Sequence, residues 1–308
     1  MFMSIQFHTF QRSAVFSFRL LLWLLLPAIL ILPERNPFQA AAEMGTLREH
    51  MADPEQAVLS VRQGLVSRDS VIKITFSSEE QDMSFVPDLV KNLMRTAMAE
   101  TSSPVEGDYI RFQYGGYSVE YVQSRTWDGL QYTLNIEPIY YTTAEQEKKT
   151  DDKVAEILTY LNLSPDLPDS EKIRAVFDYL WKNISYDKAH MDDEEYHLRA
   201  TAYASLVNRT AVCQGYSVTL HRLLKELGFS CRIVTGTVIG ENDEPMGHAW
   251  NIVKLGDLYY NLDVTWASNL GEEAYFLQGE GSFLDHIRDV DYSTTEFLEE
   301  YPMAWEDY

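Results

Sequence analysis

Cysteine is nearly absent from the 308 residues: Cys213 and Cys231 are the two present. A scaffold held by disulfides uses several pairs in a shorter chain, so this fold rests on a hydrophobic core. Basic residues are also scarce, 25 Lys and Arg against 47 Asp and Glu, for a formal net charge of −22. No basic cluster offsets the excess, and so much carboxylate repels a phosphate backbone. Nucleic acid is excluded as a partner. There is no D-x-D-x-D-G loop for calcium and no C-x-x-C framework for zinc, so neither metal nor cofactor is expected. Internal repeats and low-complexity tracts are lacking as well. What remains is globular usage, 45% hydrophobic and 23% charged, ample for two ordinary domains.

No apolar run is long enough to span a bilayer comfortably. Leu20 to Leu32 is broken only by Pro27 and follows Arg12 and Arg19. A spanning helix needs roughly 20 residues, whereas a secretory h-region needs about 7–15. Ala40-Ala41-Ala42 then fits an A-x-A cleavage site. Residues 1–42 read as a signal peptide, with an uncleaved membrane anchor as the alternative, and any membrane contact would come through that segment alone. The expected location is extracellular or at the cell surface.

Residues 43–68 are polar without strong periodicity and read as a linker or fraying helix. Residues 69–145 read as a small α+β domain. In it, Ser70–Phe76 alternates as a strand, Ser84–Glu100 carries a helical apolar face, and Tyr109–Tyr114, Tyr117–Gln123 and Gln131–Tyr141 read as strands. Gly115-Gly116 between two alternating runs predicts a hairpin turn. Nothing in this stretch suggests chemistry.

From Thr143 the pattern is helical, and Thr143 with Gln146 has the spacing of a capping box. Asp169 is a candidate N-cap for a helix whose apolar residues run Ile173, Val176, Phe177, Leu180, Trp181 and Ile184. A further helix is expected over Leu198–Val207. Val212-Cys213-Gln214-Gly215-Tyr216 then opens a helix that stops near Gly228. Cys213 thus falls in a first helical turn, where unpaired N–H groups and the positive dipole end favour a thiolate. The same N–H groups are suited to holding an oxyanion. Cys231, in Ser230-Cys231-Arg232-Ile233-Val234, reads as a buried structural residue. A Cys213–Cys231 bridge is the competing use of the pair.

Met246–Val253 and Leu258–Trp266 alternate as two strands around Gly256-Asp257. With those two residues at the hairpin tip, His248 faces Thr265, and Asp263 lies diagonally on the same side, within reach of an imidazole. A slip of one residue would separate them. His8, His50, His190, His197 and His221 receive no such role. His190 and His197 sit in an acidic stretch and read as solvated loop.

Three segments together resemble the core motifs of the transglutaminase-like superfamily: Ala211–Tyr216, Gly247–Asn251 and Tyr260–Trp266. The resemblance extends over residues 150–308, and the closing Tyr275-Phe276-Leu277, His286 and Tyr301–Ala304 segments look like the tail of exported bacterial members. It implies an α+β fold, in which a papain-like, transglutaminase-like core of N-terminal helices on an antiparallel sheet (residues 146–308) follows a small α/β domain. It also implies a Cys-His-Asp triad with Cys213 as nucleophile, His248 as base and acid, and Asp263 orienting the imidazole. Members of the family cross-link, hydrolyse or deamidate, so the implied partner is a protein or peptide substrate and the implied intermediate a thioacyl enzyme. The Cys213 N–H is the expected oxyanion donor, joined by Gln214 or Tyr203. Trp250 and Trp266 flank the triad strands as candidate walls of the acyl site, with packing as their other role. A non-enzymatic cell-surface binding module on the same fold is the competing function.

Overall fold

The computed structural model describes residues 16–20, 37–79, 82–127, 129–239, 245–270 and 275–308, with backbone alone for 16–20, 37–40 and 269–270. The first part of the chain forms β1 (Phe16–Leu20), α1 (Pro37–His50), α2 (Pro54–Ser67), β2 (Ile72–Ser78), α3 (Val86–Ala97), the single turn α4 (Asp108–Arg111), β3 (Tyr114–Thr126) and β4 (Gly129–Tyr140). The second part forms α5 (Ala144–Leu161), α6 (Asp169–Asn183), β5 (Ser185–Tyr186), β6 (Thr210–Ala211) and α7 (Cys213–Glu226). It closes with β7 (Cys231–Ile239), β8 (Pro245–Leu255), β9 (Leu258–Leu262), α8 (Val264–Leu270), β10 (His286–Arg288) and α9 (Thr295–Glu300). Of the predicted export segment 1–42, residues 1–15 and 21–36 lie outside the described residues. Among the described residues no helix is long and apolar enough to cross a membrane.

The first sheet has the order β1-β3-β4-β2, all antiparallel. On β2 the alternation is real: Ile72, Ile74 and Phe76 are buried while the residues between them face out. They meet Leu89, Val90, Leu93 and Met94 of α3, all fully buried, each contributing roughly 1.5–3 kcal/mol.

Residues 43–68 are not a linker. They hold most of α1 and all of α2, and Val58, Val61 and Leu65 are buried in this first core. The three apolar positions lie on one face but are diluted by polar neighbours, which hid the period. Asp53 caps α2 by accepting from Gln56 N–H at 3.0 Å.

Two strand expectations also fail. Tyr109–Ile110 lie in α4, and Tyr109, Ile110 and Phe112 are all buried, so no face alternates. Gly115-Gly116 is no hairpin turn: β3 runs through it with an irregularity between Tyr114 and Gly116, where φ is +121°. The chain instead reverses after Thr126, which pairs with Gly129.

In the second part, helices pack on an antiparallel sheet of order β10-β7-β8-β9, an α+β arrangement as expected. Thr143 and Gln146 form the capping box of α5. Asp169 is the first residue of α6 and Pro168 its cap. Ile173, Val176, Phe177 and Leu180 are fully buried against α7 and its neighbours. The helix expected over Leu198–Val207 is broken at Thr201: a 3-10 turn (His197–Ala200) precedes a π turn (Ala204–Asn208), and Thr201 Oγ1 accepts from Ala204 N–H.

The two parts interlock. Tyr109 and Phe112 pack with Ala202, Val218 of α7 and Ile233 of β7. Beside them Asp108, itself buried, accepts from Arg232, Arg111 and Ile233 N–H.

If α2 belongs to this core, Leu65→Ala lowers unfolding free energy by about 2–5 kcal/mol in a urea titration. A change below about 0.5 kcal/mol, the size usual at an exposed site, would return the segment to linker status.

Candidate active site

Helix α7 is buried along nearly its whole length, and its first residue is Cys213. The turn opens tightly because residue 215 is glycine: a Cβ there would meet Ala211 Cβ at 2.7 Å and Arg199 O at 2.9 Å. Ser217 Oγ donates to Ala249 O, and Asn251 Nδ2 donates to Ser217 O, so the helix is pinned to β8 one turn below the thiol. That fixes the height of Cys213 relative to His248.

The hairpin has the expected register, with Leu255 opposite Leu258 and Asn251 opposite Leu262. It ends earlier than the alternation predicts. Asp263 Oδ1 accepts from the N–H groups of Thr265 at 2.8 Å and Trp266 at 3.1 Å, which caps α8 and turns Thr265 and Trp266 into helix. His248 therefore does not face Thr265 across a ladder. It still reaches the acid: His248 Nε2 lies 2.7 Å from Asp263 Oδ2. With Nε2 so occupied, Nδ1 is the nitrogen left for the Cys213 thiol, which hydrogen-bonds this imidazole. The three groups meet.

Burial disfavours charge on all three, and mutual attraction outweighs it. Burial pushes the Cys213 thiol up, but the hydrogen bond and charge of His248, with Ala249 N–H donating to sulfur, hold it below the ordinary thiol value. Burial likewise opposes the imidazolium, and Asp263 and Cys213 raise His248 to about 10. Asp263 is held well below the usual carboxylate range by His248 and His286. Cys231 differs: burial, reinforced by the charges of Asp108 and Glu100, outweighs the Lys225 charge and the Asn251 hydrogen bond. It is buried in β7, its thiol is pushed far up, and both cysteines are free, so no bridge joins them.

Cys213 opens on a cavity of about 380 Å³ lined also by Gln214, Thr235–Thr237 of β7, Gly247–Ala249 of β8, and Asp289, Asp291 and Tyr292. Residues 159–264, which contain all three converging groups, match the transglutaminase-like superfamily. This segment is a transglutaminase-like domain. Human kyphoscoliosis peptidase is 26% identical over 163 residues, 48% of this chain and 23% of that protein. Its mouse counterpart is 28% identical over 134 residues, 38% of this chain and 19% of that protein. The similar stretch thus spans less than a quarter of either curated relative. Among solved structures, a TGase overlaps 63% of this chain and 50% of its own with 17% identity and a TM-score of 0.36. A candidate cysteine protease from Cytophaga hutchinsonii overlaps 55% and 65% with 13% identity and a TM-score of 0.34.

Within the transglutaminase-like domain the remaining site candidates divide. Cys213 and Gln214 occupy the first turn of α7, where backbone N–H groups have no helical carbonyl to bond, and both line the cavity. The Gln214 side chain is committed elsewhere, donating to Phe112 O. Tyr203 does not line the cavity. Trp250 and Trp266 are not acyl-site walls either. Trp250 is buried against Phe283, and both rings box in His248 and His286 from behind.

Sequence reasoning missed three contributors. Ala249 acts through its backbone, which no residue type announces. Tyr186 of β5 lies near enough to Cys213 for their charges to interact, burial being the larger cause of its raised pKa. His286 of β10 places Nε2 3.0 Å from Asp263 Oδ2. His248 Nε2, Asp263 Oδ2 and His286 Nε2 lie within 4.8 Å of one another, as do ligand atoms of Glu100, Asp108 and His221. The first trio stands at hydrogen-bond distances, 2.7 and 3.0 Å, too close to admit an ion without moving. His190 and His197 are exposed, bonded to Asp187 and stacked on Tyr141 respectively.

Because His248 lowers the thiol value and the thiol and Asp263 raise the imidazole value, the two groups favour the ion pair. Iodoacetamide at pH 7 should alkylate Cys213 on the order of 100-fold faster than Cys231, and His248→Ala should slow it at least about tenfold. Equal rates at the two sulfurs, read by peptide mass spectrometry, would remove the basis for an activated thiol.

Proposed function

We propose that the chain is an exported thiol enzyme acting on peptide or glutaminyl amides through a thioacyl intermediate. The observation that carries this reading is the convergence of a cavity-facing Cys213 with His248 and the buried Asp263. A purely binding module on the same fold has no use for that ion pair.

The chemistry follows from the geometry. The Cys213 thiolate adds to an amide carbonyl, forming the S–C bond and moving the carbonyl π pair onto oxygen. The first-turn N–H groups of α7 are placed to receive this oxyanion. Collapse breaks the C–N bond, and His248 Nδ1 gives its proton to the leaving amine. The thioester then reacts with water or with a primary amine. In each case the acceptor yields its proton to His248, and the thiolate departs. A specific feature favours the amine: Asp289 and Asp291 share the cavity with Cys213, and their charges draw in a lysine side chain.

A peptide library incubated with and without a primary amine distinguishes the outcomes by mass. Cleavage gives paired fragments, deamidation a shifted intact peptide, and transfer an amine adduct. Product formation is expected to fall on the order of 10³-fold or more in Cys213→Ala. Identical product patterns from the wild type and this variant would refute the enzyme.

Export rests on the leader pattern. With its native start, the protein is expected outside a bacterial cell beginning at Glu43, whose buried carboxylate pairs with Arg95 at 2.9 Å. Recovery of only Met1-initiated chain from the cytoplasm would overturn this.

A further inference from the structure

His286 lies beyond the segment shared with the family, yet its buried ring is bonded at both nitrogens. Nε2 is 3.0 Å from Asp263 Oδ2, the same oxygen that takes His248 Nε2. Nδ1 is 2.8 Å from Asp285 Oδ1, and Asp285 Oδ2 accepts from the Tyr275 hydroxyl at 2.6 Å. The ring is stacked on Phe283 with centroids 3.9 Å apart, and Trp250 stands edge-on at 5.1 Å. It has no freedom to turn.

The backbone is arranged to bring it there. Strand β10 pairs His286 with Val238 and Arg288 with Gly236, while Gly236 pairs on its other side with His248. A Cβ on Gly236 would meet Ile287 O at 2.1 Å and Arg288 Cα at 2.9 Å, so glycine lets β10 lie this close. Tyr275 holds the left-handed conformation, φ +65°, a cost of roughly 1–2 kcal/mol for such a residue. In that conformation its carbonyl takes Asp263 N–H while its hydroxyl reaches Asp285.

We propose that His286 is a positioning residue that clamps the Asp263 carboxylate and, by donating from both ring nitrogens at once, adds a positive charge behind the triad. A neutral imidazole has one N–H to give. Both flanking carboxylates are held below their usual range, and the hydrogen bonds from His286 are among the causes, so both are acceptors. The groups facing the ring are Asp263 from the α8 cap, His248 from β8, and Asp285 and Tyr275 from the closing segment. Arg288 on the same strand is engaged by Glu280 and Asn261. The chain of charges therefore alternates from the thiolate through His248, Asp263 and His286 to the part-exposed Asp285.

Removing that cation makes the surroundings of the triad more negative, which disfavours the thiolate and favours the imidazolium. The acid limb of Cys213 alkylation against pH, and the alkaline limb set by His248, both move to higher pH. For His286→Ala we expect a shift of about one unit in the acid limb, with a slower plateau rate. His286→Gln restores an N–H donor without charge, so it should recover the plateau rate but not the limb positions. A merely structural role changes the rate or the folded fraction and moves neither limb. If His286→Ala does not fold, nitrogen-15 NMR of the wild type decides the matter, with the His286 signals assigned by their loss in His286→Gln. Two protonated ring nitrogens at pH 7 support the proposal, and a neutral ring overturns it, as do unmoved limbs in folded variants. The inference rests on the activated-thiol reading, and the two fail differently. An unreactive wild-type Cys213 sinks both, whereas a reactive Cys213 whose limbs ignore residue 286 sinks only this one.

Discussion

A single buried carboxylate organises the transglutaminase-like part of this protein. Taking an ionised carboxyl out of water costs several kcal/mol unless its lone pairs are met. Asp263 is 1% exposed and meets four donors, two backbone N–H groups of α8 and the imidazoles of His248 and His286. Each donor set comes from a different element. Satisfying the charge thus requires β9 to end where it does, α8 to begin there, and β8 and β10 to present their histidines toward one point. A misplacement of any of these leaves an unpaired buried charge, so the site and the sheet order stabilise one another.

The other side of the site is braced by the first part of the chain. Helix α7 carries polar groups on surfaces that are almost wholly buried, and residues 100–113 supply partners for two of them. Lys225 pairs with Glu100 at 2.7 Å, Gln214 reaches Phe112 O, and Arg232 on the adjacent strand pairs with Asp108. Burial opposes the charge of Asp108, but Arg232 and Arg111 hold it well below the usual range. Arg111 also touches the hydroxyl of Tyr292, which lines the cavity. Residues 100–113 therefore help fix the helix that carries Cys213.

Legibility in the sequence followed how local each cause was. The hairpin register was readable because Gly256-Asp257 and the alternation around it are local, and Gly256 has the positive φ, +66°, that the turn needs. Where β9 ends was not, since Val264-Thr265-Trp266 have strand propensity and become helix through the Asp263 cap. Tyr109–Phe112 misled for a related reason: aromatic residues buried on every side leave no period to detect. Helix α2 mixes its apolar positions with polar ones and does not announce itself, yet the core of the first sheet covers Val58, Val61 and Leu65.

By itself the sequence determined the local chemistry: a thiol in the first turn of a helix, an imidazole and a carboxylate at facing ends of a hairpin, and a strongly acidic chain. These depend on near neighbours and composition, which are written along the chain. Only the tertiary structure decided which groups share a proton or a charge. His286 reaches Asp263 from a three-residue edge strand, Ala249 supplies a backbone N–H, and Tyr203 stands outside the cavity that Cys213 lines. Those outcomes turn on ångström-scale approaches between segments far apart in order, and no local pattern encodes a distance of that kind.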